Sequence, residues 1–270
     1  MIATLRPCRR LRTSAQERNR RTPDLRSATE RGRARRETEN NSSLHSSQLL
    51  IILILIVGVL AFPGPTNAQQ HWGRWNNVGS SFIDTVLQDP MRQRLGEHAL
   101  SAQTGTKGNT TKTTHLPLTE TDFTPADKGH PVVDAFLASA FAKIGPEGQA
   151  KWRRWIDRMF EFVETEYRKN NVATAVSFAL SQSMETVNGK EVSRENAHEL
   201  MANINDMLAL SERFKRQDAH EKQAIYDSLM LSGSLIFAFR SSHAGETLNQ
   251  AGITMANAML KKLTGPFSTN

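Results

Sequence analysis

The chain has 270 residues with 34 Lys and Arg against 27 Asp and Glu, and its single cysteine is Cys8. The net charge of +7 is carried entirely by residues 1–48, which hold 12 Arg and 5 acidic residues, while 49–68 hold no charge and the remaining 22 basic and 22 acidic residues cancel. That distribution excludes a nucleic-acid groove on the body, which would need its cations on the folded part, and the cysteine count excludes disulfide or thiolate chemistry there.

Residues 1–48, with "RPCRRLRT" and "RGRARRE", have the composition of a basic disordered leader able to contact RNA or anionic lipid weakly. Translation starting further downstream is the competing explanation of so long an arm. Arg35 and Arg36 form a twin-arginine pair, but Glu37 and Glu39 stand where the usual continuation of such an export signal would follow.

Next comes "LLIILILIVGVLAF", Leu49 to Phe62, an apolar run of 14 residues. A helix needs about 20 apolar residues to cross a hydrocarbon core of ~30 Å. The run is closed by Pro63, Gly64 and Pro65 and followed by Thr66, Asn67 and Ala68, a small-residue cleavage pattern before Gln69. Residues 49–68 therefore read as a signal peptide core that is removed, with retention as a membrane anchor through 49–62 as the alternative. Both readings keep the arginines on the cytoplasmic side and place residues 69–270 outside the cytoplasm, periplasmic or secreted in the first case and tethered to the inner membrane in the second.

Residues 69–100 are expected as a short helical entry, with Phe82, Ile83, Val86 and Leu87 at helical spacing before Asp89 and Pro90 interrupt the run. Residues 101–130, rich in Thr and Gly, are expected as a flexible linker, because they carry too little apolar surface to offset the entropy of ordering them. Residues 131–265 are expected as a helical bundle. Val132–Lys143 is the first helix, and Gly145 and Pro146 supply a stop and a start. Trp152, Ile156, Met159, Val163 and Tyr167 form the buried stripe of the next, ended by Asn170 and Asn171. Val172 to Val187 follows, closed by Asn188 and Gly189. Ser193 caps a helix whose period runs on through Phe214. Asp218 and Glu221 have the spacing of a capping box. The helix after it is nearly all apolar beyond Asp227, which marks it as central, with Ser228, Ser232, Gly233 and Ser234 permitting close approach. A last helix runs from about Gly245 to Leu263. The fold class is all-α, a bundle of about five main helices.

The motifs of catalysis do not assemble. Glu195 and His198 make one Glu-x-x-His pair, as in di-iron bundles, but a second pair is missing, and Glu161 and Glu164 sit on what reads as a solvent-facing surface. "HEKQA" (220–224) lacks the second histidine of a helical zinc protease, and "LSGSL" (231–235) does not fit a nucleophile elbow. No metal or cofactor is expected, and no motif identifies a catalytic residue, which leaves open an unrecognised constellation of Asp, Glu, His and Arg. Seven methionines at 159, 184, 201, 207, 230, 255 and 259 fall on bundle helices and read as core gap-fillers, or alternatively as the lining of an apolar ligand cavity. Trp152 and Trp155 beside Arg153 and Arg154 read as a buried edge covered by arginines rather than a membrane-interface patch. Trp72 and Trp75 would rest at the headgroup layer if residues 49–62 stay as an anchor.

The stretch "RFKRQDAHEKQAIYDSL" (213–229), with "AGITMANAMLKKLTG" (251–265), resembles an exported bacterial helical family known only as a domain of unknown function. The likeness covers about residues 131–265. It implies an exported all-helical protein and transfers no catalytic residue. The expected function is a non-catalytic binding or structural module acting on another envelope macromolecule, with no nucleic-acid partner for the body. A carrier of a small apolar ligand is the alternative, and an enzyme comes third.

Overall fold

The structure is a computed structural model that describes residues 86–87, 89–105, 114–241 and 246–265. The leader, the apolar run and residues 69–85 lie outside them, as does most of the helix expected at 79–88. Eight helices are seen among the described residues: α1 (Asp89–Thr104), α2 (Pro131–Ala140), α3 (Gly145–Glu166), α4 (Val172–Asn188), α5 (Arg194–Ala209), α6 (Glu212–Lys215), α7 (Ala219–Ser241) and α8 (Glu246–Thr264). Two 3-10 turns, Leu118–Thr121 and Ala142–Ile144, sit between them. The described residues contain no strand, only an isolated antiparallel bridge between Asp122 and Asn171. The class is all-α, as the periodicity indicates. No helix among the described residues is long and apolar enough to cross a membrane.

Local chemistry sets most helix ends. Gly145 (φ 71°) and Gly189 (φ 67°) take left-handed backbone that residues with a Cβ rarely adopt, and they fall at the start of α3 and the end of α4. Asn171 accepts the Thr174 amide and starts α4. Ser193 accepts the Asn196 amide at 3.2 Å and starts α5. At α7 the capping box closes in both directions, Glu221 N donating to Asp218 Oδ1 at 2.8 Å and Asp218 N to Glu221 Oε2 at 3.1 Å.

Four readings change. The helix expected to continue to Phe214 stops at Ala209, because Ser211 accepts the Phe214 amide at 3.3 Å and starts the separate turn α6. That extra turn, added to the six bundle helices read from the sequence and to α1 of the entry, makes eight among the described residues. Asp89 and Pro90 begin α1 instead of merely ending what precedes it, since proline suits a first helical turn whose amide has no partner to lose. Helix α1 runs on to Thr104, four residues into the expected linker, and it buries mostly small residues: Leu95, Gly96, Ala99 and Ala102. Leu95, Ala99 and Ala102, with Val86 and Leu87, belong to the same core as the bundle.

The central element is α4 rather than α7. Fourteen of its 17 residues are buried, against 12 of 23 in α7, and it packs on α5, α7 and α8. Its sequence reads as only moderately apolar because it is rich in Ser and Thr. Most of those hydroxyls bond within the interior, Ser181 being the exception: Ser183 Oγ donates to Ala179 O at 2.6 Å, Thr186 Oγ1 to Gln182 O at 2.7 Å and Ser177 Oγ to Ala197 O at 3.3 Å. A satisfied hydroxyl costs little to bury, so the helix is enclosed without an all-apolar surface.

The fourth change concerns residues 114–130, the later part of the expected linker. They form a strap hydrogen-bonded to α5 and α7, and its chemistry belongs to the candidate site.

Candidate functional site

Asp227 is the most telling polar residue of the interior. It lies on α7 with its side chain fully buried, and its Oδ1 is 2.7 Å from His130 Nδ1. His130 immediately precedes α2, and its ring meets Phe160 of α3 edge-on at 4.7 Å. Burial pushes the Asp227 carboxyl up from its ordinary value. The hydrogen bond and charge of His130 oppose that shift, followed by the Val132 amide at the first turn of α2 and by Arg153. Asp227 thus places a carboxylate near the start of α2 from another helix, with its Oδ2 buried and without a hydrogen-bond partner among the described residues.

The neighbouring side chains extend this tether. Gln223, also buried, accepts the Asp127 amide at 2.9 Å and donates to Gly129 O at 2.9 Å, pairing with the loop backbone in both senses. His220 Nδ1 lies 3.0 Å from Asp127 Oδ2. Tyr226 donates its hydroxyl to Glu164 at 2.8 Å, and burial followed by the Glu164 charge raises the phenol well above its ordinary range. Arg153 pairs with both Asp134 and Asp157, joining α2 to α3. The successive turns of α7 therefore grip residues 127–130 and α3.

The second centre holds the strap. Thr121, buried, donates to Asn205 Oδ1 at 2.9 Å, and Asn171 Nδ2 donates to Thr121 Oγ1, Leu118 O and Asp122 Oδ1 at 2.8–2.9 Å. Arg168 embraces Asp122 with two bonds of 2.7 and 2.6 Å. Burial would raise the Asp122 carboxyl, but Arg168 and Asn171 outweigh it and hold the group low. At the near end, Leu116 N donates to Asp206 Oδ1 at 2.9 Å, while the two ring nitrogens of His115 lie 2.8 Å from Asp206 Oδ2 and 3.3 Å from Glu199 Oε1.

The residues singled out by motif are not gathered together. Glu195 is exposed at the start of α5, and His198 rests on the Tyr167 ring at 5.0 Å. Among the described residues no group of three His, Cys, Asp or Glu is placed to hold a metal ion. Glu195→Ala and His198→Ala are each expected to change stability by no more than about 1 kcal/mol, from lost dipole or ring contacts, and to leave metal content at background. Stoichiometric iron, manganese or zinc in the wild type, lost in either variant, would overturn that assignment. Glu161 is exposed as expected, but Glu164 is turned inward at 13% side-chain exposure to reach Tyr226.

Met184, Met201, Met230 and Met259 are buried, and Met159, Met207 and Met255 pack against the same core. Trp152 is buried and stacked on Phe141 at 5.0 Å, with Trp155 edge-on to it at 5.5 Å. One signal did point to the main centre: Asp227 is the lone charge within "AIYDSLML", where an unpaired carboxylate would be costly and a partner from another element is required.

Fold and polar centres together define an all-helical bundle whose interior carboxylates, histidines and amides tie its own elements to one another. The chain belongs to the family of unknown function designated DUF6683, whose profile matches residues 44–259. The match starts well before the 131–265 resemblance, takes in the apolar run, the entry and the strap, and ends at residue 259. No curated protein and no solved structure matches the chain.

Proposed function

We propose that this chain is exported and that its body, residues 69–270, serves at the cell envelope as a non-catalytic binding or structural module engaging another envelope macromolecule. The observation that carries export is the order of segments in residues 1–68: an arginine-rich arm, 14 apolar residues, Pro-Gly-Pro, then Thr-Asn-Ala. That the family match starts at residue 44 supports treating the apolar run and the body as one unit.

The non-catalytic half rests on how the titratable groups are used. His115, His130, Asp122, Asp206 and Asp227 each bridge separate elements of the bundle, so their chemistry is committed to holding the fold. The alternative of a ligand carrier draws no support from the methionines, which pack into the core.

Mass spectrometry of the protein recovered from its native envelope should find an N-terminus at or near Gln69. Intact chain spanning residues 49–62 in membranes would establish the anchor instead, and the full chain in the cytosol would refute export altogether. Cross-linking in intact cells followed by capture of the full chain should then recover one envelope component stoichiometrically.

A further inference from the structure

We propose that His115 is a proton-operated latch: as an imidazolium it bridges Asp206 and Glu199 and pins the start of the strap to α5, and on losing its proton it lets that end loosen. The proposal does not depend on where the protein resides. Its basis is the two-sided contact. A neutral imidazole carries one N–H donor and one lone pair, so it serves one carboxylate and turns its lone pair on the other; only the imidazolium donates from both nitrogens. Both nitrogens of His115 face carboxylate oxygens, at 2.8 and 3.3 Å, from residues two turns apart on α5.

The surroundings are consistent with a switch confined to this end. Among the described residues, the titratable groups facing the ring are Asp206 and Glu199 from α5 and His98 from α1. His98 is held below the ordinary histidine range, chiefly by burial, so it adds little opposing charge while His115 titrates. Further along, the strap is held by Thr121, Asn205, Asn171 and the Asp122–Arg168 pair. Asp122 is held low and Arg168 high, so neither changes charge near neutrality. The far end stays docked while the near end responds.

The direction follows from the same groups. Burial disfavours the charged ring, but the hydrogen bond and charge of Asp206, then the charge and hydrogen bond of Glu199, outweigh it and raise His115 above its ordinary value of about 6.5. The bridge is therefore complete below about pH 6.5 and is lost as pH rises through the raised folded value.

Hydrogen–deuterium exchange on the full chain tests this, with rates at about pH 6 and pH 9 corrected for intrinsic exchange. The Leu116 amide, which donates to Asp206 Oδ1, should lose protection about tenfold at the higher pH, the weight of one charge-assisted hydrogen bond, while α4 stays unchanged. His115→Gln should be loose at both pH values, and Glu199→Gln should shrink the contrast while leaving the Asp206 contact in place. Equal protection at both pH values in the wild type would overturn the latch. So would an undiminished contrast in His115→Gln, or a uniform loss across α4 as well as the strap.

Discussion

Gly233→Leu is expected to be among the most damaging single substitutions in the bundle. Helix α7 crosses α4 at this glycine, and a Cβ built there would lie 2.7 Å from two ring atoms of Phe178 and 3.2 Å from the Ala179 Cα. Phe178 is itself buried, so its ring has little room to withdraw, and Ala179 presents backbone. Replacing glycine inside a helix gains somewhat less than ~1 kcal/mol in propensity. Overpacking costs about 1–3 kcal/mol and grows with the inserted volume, so the steric term decides the sign. Gly233→Ala should destabilise less than Gly233→Leu, giving a graded pair. Denaturant unfolding of both variants measures the effect, and a midpoint equal to or above that of the wild type in Gly233→Leu would show that the crossing is not close.

The second large effect is expected at Asp227. Asp227→Ala leaves His130 Nδ1 without its acceptor and opens a small void beneath it. The orphaned donor costs about 1–3 kcal/mol and the void adds to it, while removing a buried charge returns part of that, for a net loss of about 1–3 kcal/mol. Asp227→Asn keeps an acceptor without the charge and should lie within about 1 kcal/mol of the wild type. Because the folded carboxyl is raised, it binds its proton more tightly than the unfolded chain does. Its ionisation therefore lowers stability as pH rises from the ordinary carboxylate value of about 3.9 through the raised one, and Asp227→Asn should remove that slope. Equal stability in Asp227→Ala and wild type at neutral pH would refute the tether.

How much of this could be read in the residues depended on the distance between partners. The capping box of Asp218 and Glu221, the Ser193 cap and the glycines at 145 and 189 are local devices spanning three or four residues, and sequence spacing identifies them correctly. The centrality of α4 was hidden because Ser and Thr count as polar in any periodicity, whereas in the helix they bond to carbonyls one turn back. The strap was hidden for a different reason. Its residues are polar and Thr-rich, and the groups that order it lie far along the chain: Asn171 is 50 residues from Thr121, Asn205 is 84, and Asp206 is 91 from His115. A composition argument weighs burial alone and takes no account of side-chain amides reaching in from elsewhere. The same holds for Asp227, whose partner His130 is 97 residues away.

Those separations have a consequence for the order in which the molecule assembles. As the chain emerges from its N-terminal end, residues 115–122 appear before any of the side chains that hold them. They wait first for Arg168 and Asn171, beyond α3, and lastly for Asn205 and Asp206 before their long contacts are complete. Closing loops of that length carries an entropic cost that the helix pairs α2–α3 and α4–α5, joined by short connections, do not bear. The strap is thus expected to lock after those helix pairs and to come free before them. Substitutions at Thr121 should chiefly speed unfolding and barely slow folding, while those in α4, where the nucleus can form from near neighbours, should do the reverse.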